Sequence, residues 1–262
     1  RPVSVHRVCL AADPHFDVHH TALWASFADW HAEYKPALTV VMGDIVDLGM
    51  VSRFVQDGGA PVNAVCQIRA AVQAINGLVP QAGRVILMMG NHEDRWDKVI
   101  QGDNSVALSG AMGLSMEDQF YAQGLHPSVR WYREGKDFPG LVVGKKAIIL
   151  QHGHKGFAKG AGSRHLAAGQ LAEISTMSSA RGHFHRAQLA CRTELGRTVF
   201  GLALPHMSST HEYAGGNPNW QRGFAELLFF GRTRLRDCES FTPNMIIADE
   251  QGRFAYGGRV FG

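Results

Sequence analysis

The sequence has 262 residues, 45% hydrophobic and 19% charged, which is ample for burying a real core. Its formal net charge is only +3 with His neutral, so it lacks the strong electrostatic footprint of a dedicated nucleic-acid binder, though a nucleic-acid substrate stays open. No apolar stretch approaches the roughly 18–20 residues that span a bilayer, so no membrane partner is expected.

Val8 to Ala12 is an apolar run that reads as a buried strand ending at Asp13. Leu23, Phe27, Trp30 and Tyr34 recur at helical spacing and predict an amphipathic helix, which Pro36 stops. Leu38 to Met42 is a second strand, ending at Gly43-Asp44. Ala64 to Ile75 is helical, with Asn76-Gly77 as its stop. Arg84 to Met89 is a third strand, ending at Gly90-Asn91, and a short helix follows from Glu93. Three strands thus each deliver a polar motif at the carboxyl end, where open α/β sheets place their sites. The strand–helix–strand rhythm favours parallel neighbours.

Residues 102–113 are rich in Gly, Ser and Asn and read as a loop or insertion. Ser115 to Tyr121 reads as a helix capped by Ser115, and Val129 to Tyr132 as a strand. The second half is β-rich. Lys146 to Gln151 leads into His152, and Ala187 to Glu194 and Arg197 to Leu204 flank a hairpin turn at Leu195-Gly196. Phe224 to Phe230 and Asn244 to Ala248 are further strands, and residues 249–252 form a turn before the last run. Arg232, Arg234 and Arg236 alternate, which puts them on one face of a strand, either to track a nucleic-acid backbone or to guard an edge against aggregation. The expected architecture is two packed sheets with helices outside. With no linker, repeat or low-complexity segment, residues 1–262 read as one domain.

The four cysteines lie far apart without C-x-x-C spacing. Cys9 in an apolar run and Cys66 in a helical pattern read as buried, reduced thiols, which favours a reducing, cytoplasmic setting. No signal-peptide pattern is present, and the start at Arg1 rather than Met leaves room for an upstream segment.

Five short motifs carry the chemistry: Asp13-Pro14-His15, Gly43-Asp44-Ile45-Val46-Asp47, Gly90-Asn91-His92-Glu93-Asp94, His152-Gly153-His154 and Gly182-His183-Phe184-His185. Alone, each has a bland reading as a helix cap or a hydrogen-bonded turn. Together they offer Asp, His, Asp, Asn, His, His and His, four of the five motifs following apolar runs. That oxygen and nitrogen set lacks thiolate and suits hard or borderline divalent metals, and paired metals activate water for attack at phosphorus.

In residues, spacing and order the motifs resemble the calcineurin-like metallophosphoesterases, across Asp13 to His185. The resemblance implies a four-layer αββα sandwich of the α/β (α+β) class with two packed mixed sheets. It implies one metal on Asp13, His15, Asp44 and His185, and a second on Asp44, Asn91, His152 and His183, with Asp44 shared. The nucleophile would be a hydroxide between the metals, with Asn91 helping to draw charge from the phosphoryl oxygens. His92 would face the leaving oxygen as general acid or cation, and Asp47 would pair with His92 and orient it. His152 is preferred to His154 as ligand because it stands directly at the strand end. Glu93 and Asp94 read as supporting or helix N-terminal charges. The two divalent ions are expected to be manganese, with iron, zinc, cobalt, nickel or magnesium as alternatives.

Asp47-Leu48-Gly49 lacks the arginine that the superfamily's Ser/Thr protein phosphatases carry after this motif, which argues against a protein phosphatase. Gly43 to Phe54, Gly90 to Arg95 and Asn219 to Phe224 resemble a phage and bacterial subgroup. His154, Lys155 and Arg95 are candidate substrate contacts, and Lys155, Lys159 and Arg164 form a basic, glycine-rich loop, which grips phosphate or is simply solvated. His206 and His211 are placed to line the cleft rather than to ligate. The leading expectation is a dinuclear metal-dependent phosphodiesterase acting on a nucleotide or nucleic acid. A phosphomonoesterase with the same metal core is the alternative, and a non-catalytic scaffold the rival of a different class. A homo-oligomer is compatible with the sequence.

Overall fold

A computed structural model describes residues 4–49, 63–101, 113–135, 140–155, 166–173, 177–194, 196–209 and 219–262. The sequence expectations for residues 50–62, 102–112 and 156–165, for Leu195 and for His211 lie outside the described residues.

One mixed sheet has the order β11-β10-β1-β2-β3-β4, formed by β1 (Val5–Ala11), β2 (Leu38–Val41), β3 (Val85–Met88), β4 (Arg130–Tyr132), β10 (Gly223–Phe230) and β11 (Ser240–Ile247). Within it β1, β2, β3 and β4 run parallel, as the alternating rhythm predicts, and β10 and β11 are antiparallel additions. The second sheet has the order β5-β6-β7-β9-β8, from β5 (Leu141–Val143), β6 (Ile148–Gln151), β7 (Ser178–Arg181), β8 (Gln188–Glu194) and β9 (Arg197–Ala203). A small hairpin of β12 (Phe254–Tyr256) and β13 (Arg259–Phe261) closes the chain.

Strand alternation sorts side chains between two cores. From β1 and its end, Val8, Leu10 and Ala12 meet Ile148, Leu150, Ala180 and Leu202 between the sheets. Cys9 and Ala11 point the other way, into a core with α1 (Thr21–Tyr34), α2 (Ala64–Leu78) and α4 (Met116–Ala122). On the far side, α5 (Leu166–Glu173) packs on β8 and β9. The result is the expected αββα layering. α3 (Asn91–Gln101) starts directly after β3 and lies beside α4.

Several local expectations need correction. α2 runs through Asn76-Gly77 to Leu78, because Leu78 is buried while Gly77 meets open space. Asn76 instead bonds sideways to the Gly124 carbonyl and the His126 amide. α3 begins two residues earlier than predicted, at Asn91. Cys66 is exposed, since α2 buries the face carrying Gln67, Ile68, Ala71 and Val72, whereas Cys9 and Cys238 are buried. Arg232, Arg234 and Arg236 do not share a strand face: β10 ends at Phe230, Gly231 turns at φ 95°, and a 3-10 turn spans Leu235–Asp237. There Arg234 pairs with Asp237 at 2.7 Å. The capping box predicted at Ser115 is present, with Asp118 answering it.

One charge sits deep in the first sheet. Glu226 on β10 is fully buried and accepts from Arg7 and, at 2.8 and 2.7 Å, from the Tyr256 hydroxyl. Those partners offset the cost of burying the carboxylate and tie the terminal hairpin to the sheet.

Candidate metal centre

Five loops meet beyond the carboxyl ends of β1, β2, β3, β6 and β7, and the motif side chains converge there. Asp13, His15, Asp44, His183 and His185 all hold positive φ, between 47° and 69°. Such conformations cost about 1–3 kcal/mol each in non-glycine residues and persist only where their surroundings fix them. The fixing contacts are backbone bonds between loops: His15 N–H to the Asp44 carbonyl at 3.0 Å, Phe16 N–H to Ile45 at 2.7 Å and Gln221 N–H to His185 at 2.9 Å.

Glu93 supplies the strongest clasp. Its buried carboxylate accepts from the backbone amides of Asp44, Ile45, Val46 and Gly90, at 3.0, 2.7, 3.1 and 2.7 Å. Burial, and then the neighbouring Asp44 charge, push its carboxyl up to about 7 against the pull of those amides. It supports the β2 and β3 loops rather than joining the inward-facing side chains.

The glycines of two motifs have a steric reason. A Cβ on Gly90 would sit 2.2 Å from the Asp44 amide nitrogen, and one on Gly43, at φ 88°, would sit 2.4 Å from the His152 ring. Only glycine lets these loops approach so closely.

Three groups of side chains have ligand atoms close enough to share a cation: Asp13, His15 and His185; His15, Asp44 and His92; and Asp44, His152 and His183. Asp44 belongs to two groups and is buried between His152 Nε2 at 3.3 Å, His92 Nε2 at 3.7 Å and His15 Nε2 at 3.9 Å. Burial would raise its carboxyl, but His152 and His92 outweigh this and hold it well below the usual carboxylate range. At Asp13, too, burial is outweighed, chiefly by His185, and the carboxyl is lowered.

Two imidazoles have their outer nitrogens assigned by their partners. The Met42 carbonyl can only accept, so His152 Nδ1–H donates to it at 2.7 Å and Nε2 faces inward. Asp47 accepts from His15 Nδ1 at 3.1 Å, which likewise turns Nε2 inward. Metal-binding histidines are oriented in this way by a carbonyl or carboxylate on the outer nitrogen. At His152 burial disfavours the charged ring, yet Asp44 prevails and pushes it up to about 10. At His183 burial, with His152 next, pushes the ring down to about 4.

Asn91 tests whether this set fits a cation. With its amide oxygen inward it faces His152 Nε2 at 3.1 Å. Turned over, its nitrogen donates to Asp44 Oδ2, His183 Nδ1 and His152 Nε2 at 3.2, 2.8 and 3.1 Å, while its oxygen accepts from Arg95 at 3.0 Å. With His152 neutral and its Nε2 bare, as a ligand's must be, the inward oxygen stands among acceptors, an arrangement that a divalent cation completes. The residues present fit two oxygen- and nitrogen-liganded divalent ions, and no thiol approaches them among the described residues.

His92 lies at the edge of this arrangement, its ring 4.6 Å from that of His15. The expected pairing with Asp47 takes a different form. His92 Nδ1 bonds to the Asp47 backbone carbonyl, while the Asp47 carboxylate, 4.0 Å from His92 Nδ1, is spent on His15. Leu48 at φ 49° turns the chain there, so the Asp47 carbonyl and carboxylate serve different histidines.

Two of the three substrate candidates share one partner: His154 Nε2 and Lys155 Nζ meet the Asp94 carboxylate at 3.0 and 2.8 Å, while the third, Arg95, stands beside Asn91. Glu134 carries no warning in the sequence, whereas His206, which the sequence places to line the cleft, stands there beside Trp220. Glu134 is buried and accepts from the His152 backbone amide, His206 stacks on His185 at 4.6 Å, and Trp220 meets His185 edge-on at 4.5 Å. For Trp220 a signal existed, the Asn219 to Phe224 stretch, but nothing local tied it to the site.

A family model described as calcineurin-like phosphoesterase matches residues 6–189. No curated protein sequence matches the chain. Among solved structures, the chain is similar to a single mutant of Vps29 from Entamoeba histolytica, at 14% identity and TM-score 0.41, over 93% of this chain and 99% of that one. It is similar to purple acid phosphatase PPD1 from yellow lupin (Lupinus luteus) seeds, at 11% identity and TM-score 0.46, over 92% and 53%. It is also similar to TT1561 of Thermus thermophilus, at 9% identity and TM-score 0.39, over 88% and 100%.

Proposed function

The chain belongs to the calcineurin-like phosphoesterase family, and from that premise we propose that it is a dinuclear metal-dependent phosphodiesterase acting on a nucleotide or nucleic acid. The observation that carries this reading is the convergence of three ligand groups linked in a row through His15 and Asp44, with His92 in the middle one. When bound, two divalent cations supply an acidified water for attack at phosphorus and an electrostatic clamp on the phosphoryl oxygens.

In this reading Asp13, His15, Asp44 and His185 hold one cation, and Asp44, Asn91, His152 and His183 the other. His152 and His15 present Nε2 inward because Met42 and Asp47 occupy their outer nitrogens. His92 keeps Nε2 on the site side, since the Asp47 carbonyl takes Nδ1, and is placed to give its proton to the leaving oxygen. Trp220 beside His185 and the cations Arg95 and Lys155 beside Asn91 and Asp94 support a substrate that is both aromatic and anionic.

The test is turnover of bis-p-nitrophenyl phosphate against p-nitrophenyl phosphate, on metal-stripped protein reconstituted with manganese and then with each other metal. Preference for the diester is expected. Preference for the monoester would make the protein a phosphatase on the same residues. No bound metal and no hydrolysis of either ester would favour a scaffold.

A further inference from the structure

Outside the three ligand groups, Asp94 organises a second arrangement. Its side chain is only 8% exposed, and it receives both His154 Nε2 and Lys155 Nζ. The carboxylate can only accept, so His154 Nε2 carries the hydrogen. His154 Nδ1 is then a buried polar atom with no hydrogen-bond partner among the described residues. Lys155 gives a second, longer bond to the Glu134 carbonyl at 3.4 Å, and its side chain is 42% exposed. An ammonium has three donors, so one is left for an anion. Arg95 adds a charge that no carboxylate pairs among the described residues.

The place of this arrangement is informative. The His154 ring lies 5.1 Å from that of His152 and 6.4 Å from that of His183, so it borders one proposed cation position without belonging to its ligand group. The cations and Asn91 already answer the charge of one scissile phosphoryl group. Burying a carboxylate to hold two further donor side chains at the border costs desolvation that a substrate with one phosphate gives no reason to sustain.

We propose that Lys155, positioned by Asp94, and Arg95, beside Asn91, form an anion subsite for a second phosphate on the substrate, beside the phosphate that is cleaved, with His154 fixing Asp94 from the metal-centre side. The subsite rests on the hydrolase reading for its neighbour, the scissile phosphate, and narrows the substrate class to phosphodiesters carrying another phosphate, as oligonucleotides do. Asp94 is a positioning residue. Lys155 and Arg95 are the groups that touch the anion.

The experiment compares thymidine 5′-(p-nitrophenyl phosphate) with the same ester carrying a 3′-phosphate, on the full chain loaded with manganese. The second phosphate is expected to lower KM about tenfold or more, and Lys155→Ala or Asp94→Asn to shrink that ratio toward unity. Thermal melts of both variants accompany the kinetics. A lower Tm with the ratio intact would make Asp94 a merely structural tie and overturn the proposal. A binding arm separates this inference from the hydrolase reading: calorimetry of thymidine 3′,5′-bisphosphate and thymidine 5′-phosphate on metal-stripped chain. Tighter binding of the bisphosphate that Lys155→Ala abolishes, with neither ester turned over, would keep the subsite and sink the hydrolase. Turnover of both esters with equal KM and equal nucleotide affinity would sink the subsite alone.

Discussion

The carboxylate of Asp47 accepts from His15 Nδ1 at 3.1 Å, although Asp47 lies on the motif whose expected partner is His92. The contact joins the β1 and β2 loops and decides which nitrogen His15 offers. The Asp47 carboxylate thereby acts first on a proposed ligand, while the Asp47 carbonyl holds the proposed proton donor His92. Replacing Asp47 with Ala is expected to weaken binding of one of two manganese ions by about 10–100-fold, the usual cost of losing a carboxylate behind a ligating histidine. Calorimetric titration of metal-stripped protein measures this. Unchanged affinity for both ions with a fall in kcat would return Asp47 to His92.

Glu93 is the second pressure point. Its carboxylate satisfies four backbone amides, three from the β2 loop and one from Gly90. Glu93→Ala strands those donors in a buried place, where each unsatisfied group costs about 1–3 kcal/mol. A loss of at least about 3 kcal/mol is expected after partial rescue by water. Urea denaturation provides the measurement, with Glu93→Gln losing less because its amide oxygen still accepts. Equal stability of Glu93→Ala and the parent would show that the loop holds without its clasp.

Gly90 offers a narrower probe of the same loop. A Cβ there would meet both the Asp44 amide nitrogen and its Oδ1 at 2.2 Å. Gly90→Ala therefore has to displace Asp44, the carboxylate shared by two ligand groups. Both metal affinities are expected to fall together, more than for Asp47→Ala. If calorimetry finds only one of the two ions weakened, Asp44 is not shared.

How much of this was legible follows from the range of each interaction. The strand ends carrying Asp13, Asp44, Asn91 and His152 were legible because apolar runs stop there, and the parallel order followed from the alternation with helices. By contrast, β7 before His183 reads Ser-Ser-Ala-Arg and has no apolar run to announce it. Hydrogen bonds over long sequence separations left no such trace. Nothing around Glu134 hints that it will hold the His152 amide, and nothing in Gly90-Asn91-His92-Glu93 says that Glu93 turns back to amides 47 to 49 residues earlier. The pairing of Asp47 with His92 is present in another form, the backbone carbonyl on Nδ1 and the carboxylate at 4.0 Å, and what sequence reasoning lacked was the closer contact of that carboxylate with His15. The arginine stripe failed because alternation was read past Gly231, where β10 has already ended.

Away from the site, His31 gives a pH-dependent stability. It lies on α1, buried, with Nε2 at 2.7 Å from the Thr39 hydroxyl, and burial pushes its ring down to about 4. The unfolded ring titrates near 6.5, so between these values the unfolded chain binds the proton that the folded chain refuses. The contribution is complete above about pH 6.5 and is lost as pH falls toward 4, by up to about 3 kcal/mol in all. His31→Gln should flatten the fall in Tm between pH 6.5 and about pH 5 relative to the parent. Identical slopes in the two proteins would place the acid sensitivity elsewhere.

The roles of Asp44 and His92 separate most cleanly when metal and rate are read on the same variant. Asp44 joins two ligand groups, so Asp44→Ala is expected to lose both ions and all turnover. His92 shares one group with it but has its Nδ1 tied to the Asp47 carbonyl and its ring at the border of the site. His92→Ala is expected to keep both ions by elemental analysis and to lose about 10²–10⁴-fold in kcat, the range for a removed proton donor. The loss should be smaller on an ester whose leaving group needs no proton, such as p-nitrophenolate, than on one with an alkoxide leaving group. If His92→Ala instead arrives without one ion, its Nε2, 3.7 Å from Asp44, is a ligand, and proton delivery falls to another residue.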